Sequence, residues 1–423
     1  MRKWITLGVL FLLPATMALA AGFSLGEFGG RAAAMGNAVT AQAYDASTLF
    51  YNPAGLAFLE GTQFYGNLTL ISPSAKFVGA EPIYDNTVHD AKKQIFPPIG
   101  LYVTHRFHQK FAAGLSVTTP FGLGLAWEDD FPGTVISKDV NLQTYYITPV
   151  VSFQATPNLG FAAGLDVVLS KLTLKRDALA FETPNVPGTG SSDLVEAELE
   201  GSGDPAVGFT AGVMYRLGKL GLGAMYRHSI TVKTDEGSVK FNIDPRFQPL
   251  FASAGITDQT IGAELGIPNY YVIGVYYMIT DKLGVEADYS WYGWSVFDEL
   301  TIEFENPALN QTIPENYVDE YQVRVGAHYE LTEQFSLRAG YIYDRTPQPV
   351  ESVSPLLPDD TRNDFTFGVG YKQGKFRIDG GYMWVNIGER STVEDGVGKN
   401  DYGFNGTYTS HAHLFFLGLG YSL

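Results

Sequence analysis

The sequence predicts an all-β fold: a 14-stranded antiparallel transmembrane β-barrel with an N-terminal hatch, a plug, inside its lumen. Three observations predict it. No run of about 18 apolar residues recurs after the first residues, so the chain is not a bundle of membrane helices. From Thr62 onward, segments of about 10 to 16 residues alternate polar and apolar with period two, the pattern of strands with two unlike faces. The connections between these segments alternate between very short and long, the asymmetry of outer-membrane barrels with short periplasmic turns and long outer loops. Composition agrees, because 47 Gly, 25 Tyr and 28 Phe with only 17% charged residues suit strands that face lipid on one side.

The chain opens with Arg2 and Lys3, continues through an uncharged apolar stretch at residues 4–17, and reaches Ala18-Leu19-Ala20. Residues 1–20 therefore read as a secretory signal peptide, cleaved at a small-x-small site. The chain has no cysteine, which argues against a disulfide-stapled secreted module and leaves no lipid acceptor at Ala21. Such a protein must be held in the bilayer by a closed hydrogen-bonded ladder, since an open sheet edge cannot stay unpaired in hydrocarbon.

Residues 21–61 break the strand pattern. They are rich in Gly and Ala, too long to dangle and too apolar for a linker, and are expected to sit inside the barrel as the hatch. The barrel itself is expected over residues 62–423. Short turns fall near His108-Gln109, Thr156-Pro157-Asn158, Leu217-Gly218-Lys219, Thr280-Asp281-Lys282, Thr332-Glu333 and Gln373-Gly374. Long loops fall near 80–96, 127–139, 177–202, 234–267, 305–316, 346–360 and 389–408. In the last strand Leu417, Leu419, Tyr421 and Leu423 share one face, and Gly418, Gly420 and Ser422 the other.

Two irregularities invite a functional reading. Pro120, close to Gly122, cannot donate to a ladder; it either ends the third strand at the rim or kinks it and opens the wall. In the loop 234–267, Arg246 to Leu265 reads as helical over short stretches, with Phe247, Leu250 and Phe251 among its apolar positions. These residues either pack against neighbouring loops or line a hydrophobic entrance groove.

A net charge of -17 disfavours nucleic acid as a partner. The acidic stretches Glu128-Asp129-Asp130, Asp359-Asp360 and Glu394-Asp395 read as solvated outer-loop charge or as binders of divalent cations. The seven histidines are scattered, and His411 with His413 supplies two ligands without a third. No nucleophile elbow, His-Glu-x-x-His or phosphate-binding loop is present. No enzyme, cofactor or metal site is expected.

The stretch Gly22-Phe23-Ser24-Leu25-Gly26-Glu27-Phe28, then Gly30-Arg31-Ala32 and Asn52-Pro53-Ala54, resembles the N-terminal hatch of the FadL family of outer-membrane transporters of hydrophobic compounds. Later segments agree, including Phe121-Gly122, Tyr289-Ser290-Trp291-Tyr292-Gly293-Trp294 and Gly418-Leu419-Gly420-Tyr421. The resemblance implies passive uptake of long-chain fatty acids or related hydrophobic compounds, through an outer-loop groove, a rearranged hatch and a lateral exit at the third strand. It implies Phe23 as the hatch residue near the ligand, Asn52, Pro53 and Ala54 as a hatch anchor, and Pro120, Phe121 and Gly122 as the kink. Arg176, or its neighbour Lys175, would meet a ligand's polar head, where an Arg fork can replace lost hydration. Where related fatty-acid transporters carry a lysine before the tenth strand, this chain has Tyr317-Val318-Asp319, which leaves room for an aromatic hydrocarbon instead. The implied partners are the hydrophobic molecule, outer-membrane lipid and the barrel-assembly machinery, with the protein acting as a monomer. A general porin and a lipid-acting outer-membrane enzyme are the rival readings.

Overall fold

Alternation along the strands becomes a closed wall in the computed structural model, which describes residues 22–80, 87–177 and 195–423. The expected signal, residues 1–20, lies outside the described residues, as do parts of the first and third outer loops. Fourteen antiparallel strands follow one another around the barrel. The first six are Thr62–Gly79, Ile99–His108, Phe111–Thr118 with Gly122–Ala126, Asp139–Thr156, Leu159–Asp177 and Val195–Leu217. Four two-piece strands come next: Leu220–Arg227 with Ile230–Ile243, Gln259–Ile267 with Tyr270–Met278, Leu283–Tyr292 with Glu299–Phe304, and Gln311–Pro314 with Glu320–Glu330. Phe335–Asp344, Arg362–Gln373, Phe376–Ser391 and Gly406–Ser422 complete the wall. The last strand pairs with the first from Gln63↔Ser422 to Gly79↔Gly406, so the sheet closes on itself.

Each strand sorts its side chains as the bilayer requires. In the first strand Tyr65, Asn67, Thr69 and Ile71 are buried inside, while Phe64, Leu68 and Leu70 face out. In the last strand Phe415, Leu417 and Leu419 face out, and Gly418 faces in against Tyr65. Aromatic pairs ring the outside at two heights, Phe111–Phe153, Phe335–Tyr371 and Phe376–Tyr421 near the short turns, and Tyr271–Trp291, Tyr289–Tyr321 and Phe365–Trp384 toward the loops. These are the girdles that aromatic side chains form at the two membrane interfaces. All six short turns fall where the sequence placed them; Gly218 and Gly374 take φ +57°, which a two-residue turn requires.

The long loops are shorter than expected, because strands continue beyond the membrane. Residues 234–243 and 259–267 pair with each other from Thr234↔Ala263 to Val239↔Gln259. The helical expectation for Arg246 to Leu265 is therefore corrected: the helix is confined to Gln248–Ser253, and Gln259–Ile267 is strand. The spacing of Ile261 and Leu265 fits both periods, and above the bilayer no lipid-facing row exists to separate them.

Residues 22–61 fill the lumen with three short helical pieces, Gly30–Ala34, Thr48–Tyr51 and Pro53–Phe58, almost wholly buried. Strand glycines let the segment touch the wall: a Cβ on Gly340 would sit 2.2 Å from the Gly36 nitrogen, and one on Gly223 2.1 Å from the Thr40 oxygen. Gly340→Val should therefore leave the barrel assembled, read as heat-modifiable migration on a gel, but displace the interior segment and raise ion conductance in planar bilayers. Unchanged conductance would show that this close approach does not seat the segment.

Candidate functional site

Asn52 does what its position before Pro53 suggests. Its Oδ1 accepts from the Ala54 N–H at 3.1 Å, capping the helical turn that Pro53 begins. Its Nδ2 donates to the Thr40 carbonyl at 2.8 Å and to the Val213 carbonyl of the sixth strand at 3.0 Å. One side chain thus joins two parts of the N-terminal segment to the wall. Two carboxylates of the ninth strand complete the seat. Asp288 accepts from the Val39 and Thr40 N–H groups, both at 3.2 Å, and from the Thr40 hydroxyl at 2.7 Å. Glu286 accepts from the Ala41 N–H at 2.6 Å and from Gln42 at 2.7 Å. Backbone donors that would otherwise be buried without partners meet acceptors there.

The third strand is where the wall fails. Its lower piece pairs on both sides, Leu101↔Val117 with the second strand and Phe111↔Phe153 with the fourth. Its upper piece, Gly122–Ala126, pairs with the fourth strand but, among the described residues, has no ladder to the second. Between the pieces, Thr118 opposes Tyr146 and Gly122 opposes Gln143, so three residues face two and the strand bulges. The Thr144 hydroxyl donates to the Phe121 carbonyl at 2.6 Å, satisfying part of the irregular backbone. Pro120 is thus a kink, not the strand's end.

The N-terminal segment occupies the broken edge. Leu25 N–H donates to the Pro120 carbonyl and Gly122 N–H to the Phe23 carbonyl, both at 2.8 Å, and Ser24 bridges Phe121. The Phe23 ring packs edge-on against Trp294 at 4.8 Å, Phe297 at 5.3 Å and Phe121 at 6.1 Å. One residue earlier, the Gly22 N–H donates to the Asp359 carboxylate of an outer loop at 3.0 Å. Behind the kink lies a cavity whose lining includes Ser24, Leu25, Pro120, Phe50 and Trp294.

The structure therefore brings Phe23, Pro120, Phe121 and Gly122 together, with Asn52, Pro53 and Ala54 anchoring the segment that reaches them. It does not bring the other expected residues there. Arg176 donates through Nη2 to Gln311 in the outer region, and Lys175 pairs with Glu198 at 3.0 Å. Phe247 is half-buried, Leu250 exposed and Phe251 buried on the loop helix, away from the cavity lining. A second, largely apolar pocket lies at the outer end, its lining including Leu172, Leu174, Leu199, Ile261, Leu300 and Ile302. Glu286 and Asp288 were missed by sequence reasoning; their signal was two acids spaced by one residue on the inward phase of a membrane strand.

The outer membrane protein transport protein family (OMPP1/FadL/TodX) matches residues 11–423. The chain belongs to that family. It is 24% identical to the long-chain fatty acid transport protein of Escherichia coli O6:H1 over 94% of each chain. It is 26% identical to outer membrane protein P1 of Haemophilus influenzae over 98% of each. Among solved structures, a Pseudomonas aeruginosa FadL homologue superposes with a TM-score of 0.80 at 22% identity, covering 95% of this chain and 100% of that one. The toluene transporter TodX of Pseudomonas putida does so with 0.72 at 18%, covering 94% and 99%. The protein is thus a multi-pass outer-membrane β-barrel of a family of transporters of hydrophobic compounds.

The Asp359 latch makes a pH prediction. Burial pushes its carboxyl from 3.8 to about 7, against the pull of the Thr346 hydroxyl and the Arg362 guanidinium. In that window the folded protein holds a proton that the unfolded chain has released, so burying Asp359 should cost the fold stability as pH rises from about 4 to about 7, with no further loss above that. Asp359→Asn should flatten that slope, measured as the barrel's resistance to thermal unfolding across the same pH range. A slope unchanged in the variant would assign the titration to another group.

Proposed function

We propose that this protein carries a hydrophobic small molecule, a long-chain fatty acid or a related compound, passively through the outer membrane and releases it sideways at the third strand. The observation that carries the reading is the broken edge at Pro120: among the described residues Phe23–Leu25 cover it from within, and the cavity lies directly behind. The ligand enters at the apolar outer pocket beside Lys175 and Arg176, with Phe247, Leu250 and Phe251 on the neighbouring loop helix. It then passes into the inner cavity, and displacement of Phe23 from its aromatic neighbours frees the edge. Asn52, Pro53 and Ala54 hold the rest of the segment while its first residues move. The protein works as a monomer, inserted by the barrel-assembly machinery, with outer-membrane lipid as the receiving phase.

An aromatic hydrocarbon is the second reading, favoured by the rings of Phe23, Phe121, Trp294 and Phe297 along the exit.

Ser24 and Phe121 face each other across the bridge, so Ser24→Cys with Phe121→Cys should form a disulfide that locks the edge. Uptake of a labelled hydrophobic compound into cells should stop on oxidation and return on reduction. Full uptake by the oxidised, cross-linked protein would refute lateral release. Replacing Pro120 and Gly122 with valines tests the same route without a cross-link: a restored ladder should slow uptake in a barrel that still assembles, and unchanged uptake would count against the route. Large, stable single-channel currents from the unmodified protein would instead mark a general porin, and hydrolysis of lipid by the purified barrel, lost on changing one lumen residue, an enzyme.

A further inference from the structure

The inner cavity has two unlike sides. Phe50, Ile71, Val272, Trp294 and Leu414 make an apolar side, and Glu27, Asp344, Asp364, Arg324 and Arg362 make an ionic one. Three carboxylates against two guanidiniums leave the lining with a formal charge of -1, and no lysine adds to it. Each guanidinium already has partners. Arg362 is paired with Asp344 and lies 3.7 Å from Asp364, while Arg324 donates to Gln322 and to the Tyr292 hydroxyl at 3.0 Å. The two basic residues expected to meet a head group are also engaged, Lys175 with Glu198 and Arg176 with Gln311.

Hydrogen-bonding capacity on the same side points the same way. Among the buried polar atoms of the lining, Asn37 Oδ1, Asp364 Oδ1 and Arg362 Nε have no hydrogen-bond partner. Two are acceptors and one is a donor. A carboxylate only accepts, so it would answer the one donor, face both acceptors and add a second negative charge in a site largely shut off from water. An alkane would leave all three unanswered, at the cost of buried unpaired polar groups. A hydroxyl donates and accepts, and brings no charge.

Resting on the uptake reading above, we propose that the inner cavity selects an uncharged amphiphile with a hydroxyl-bearing head, its tail along the Phe50–Trp294 side, over an ionised fatty acid or a plain hydrocarbon. Dodecanol, dodecanoate and dodecane share one tail and separate the three cases. With the protein in lipid nanodiscs at pH 8, quenching of the cavity tryptophan Trp294, checked against Trp294→Phe, should show dodecanol binding at least about tenfold more tightly than either. Partition into lipid differs among the three, but it cancels when each ligand is compared between wild type and Asp364→Asn. That variant removes one negative charge and keeps an acceptor, so the dodecanol-to-dodecanoate ratio should fall about tenfold. Dodecanoate binding as tightly as dodecanol, or a ratio unmoved by Asp364→Asn, would overturn the charge argument while leaving uptake intact. Dodecane equal to dodecanol would overturn the hydroxyl argument. Binding of none of the three, together with no uptake of hydrophobic compounds by cells, would overturn the transport reading beneath it.

Discussion

Every backbone N–H and C=O inside a bilayer must find a partner, and the barrel meets that demand at nearly every residue of its wall. The third strand is where the wall alone does not. A proline that cannot donate and a one-residue bulge part its upper piece from the second strand, and the chain's own first residues supply the missing edge. This makes the N-terminal segment two things at once. It fills the lumen, and it bridges the broken edge of the wall.

That double role explains how strongly the rest of the segment is held. Asn52 ties the segment to the sixth strand, Glu286 and Asp288 hold the run from Val39 to Gln42 on the ninth, and glycines in several strands allow backbone-to-backbone contact. Arg377 of the thirteenth strand pairs with Asp45 at 3.0 Å, adding a charged contact near the short-turn end. Residues 26–58 are held this firmly, which leaves Gly22–Leu25 with the fewest bonds: two ladder bonds, one carboxylate and an aromatic cluster. A few such bonds, each worth about 0.5–1.5 kcal/mol net, are within reach of a ligand's binding energy.

Much of this was legible in the sequence, for reasons that follow from the solvent. Where one face meets lipid and the other the lumen, alternation is enforced, so strands such as Gly406–Ser422 and all the short turns could be located to within a residue or two. Pro120 and Asn52-Pro53 stood out because proline has few ways to sit in regular structure. Beyond the membrane both faces meet water, the alternation fades, and the continuation of strands through 234–243 and 259–267 was read as loop and helix. The site was harder. Arg176 was singled out for its charge, yet the cavity's cations are Arg324 and Arg362, whose strands reach it from far along the chain. Asp359 was read with Asp360 as solvated outer-loop charge, yet it is buried, and its partner is a backbone N–H more than 300 residues away.

The Asp359 contact also joins the two ends of the transport path. Gly22 is held by a loop between the eleventh and twelfth strands, and the next three residues cover the broken edge. Asp344 and Arg362, which line the ionic side of the cavity, sit at the last residue before that loop and the first after it. A head group that disturbs the Arg362–Asp344 pair therefore acts at the base of the loop whose carboxylate holds Gly22. Such a ligand would bind more tightly to the state with the edge uncovered than to the closed one, and that difference is what lets binding release the exit. A ligand that filled only the apolar side would have no such lever. On the proposed route, the polar end of the cavity would couple occupancy to opening as well as select what is carried.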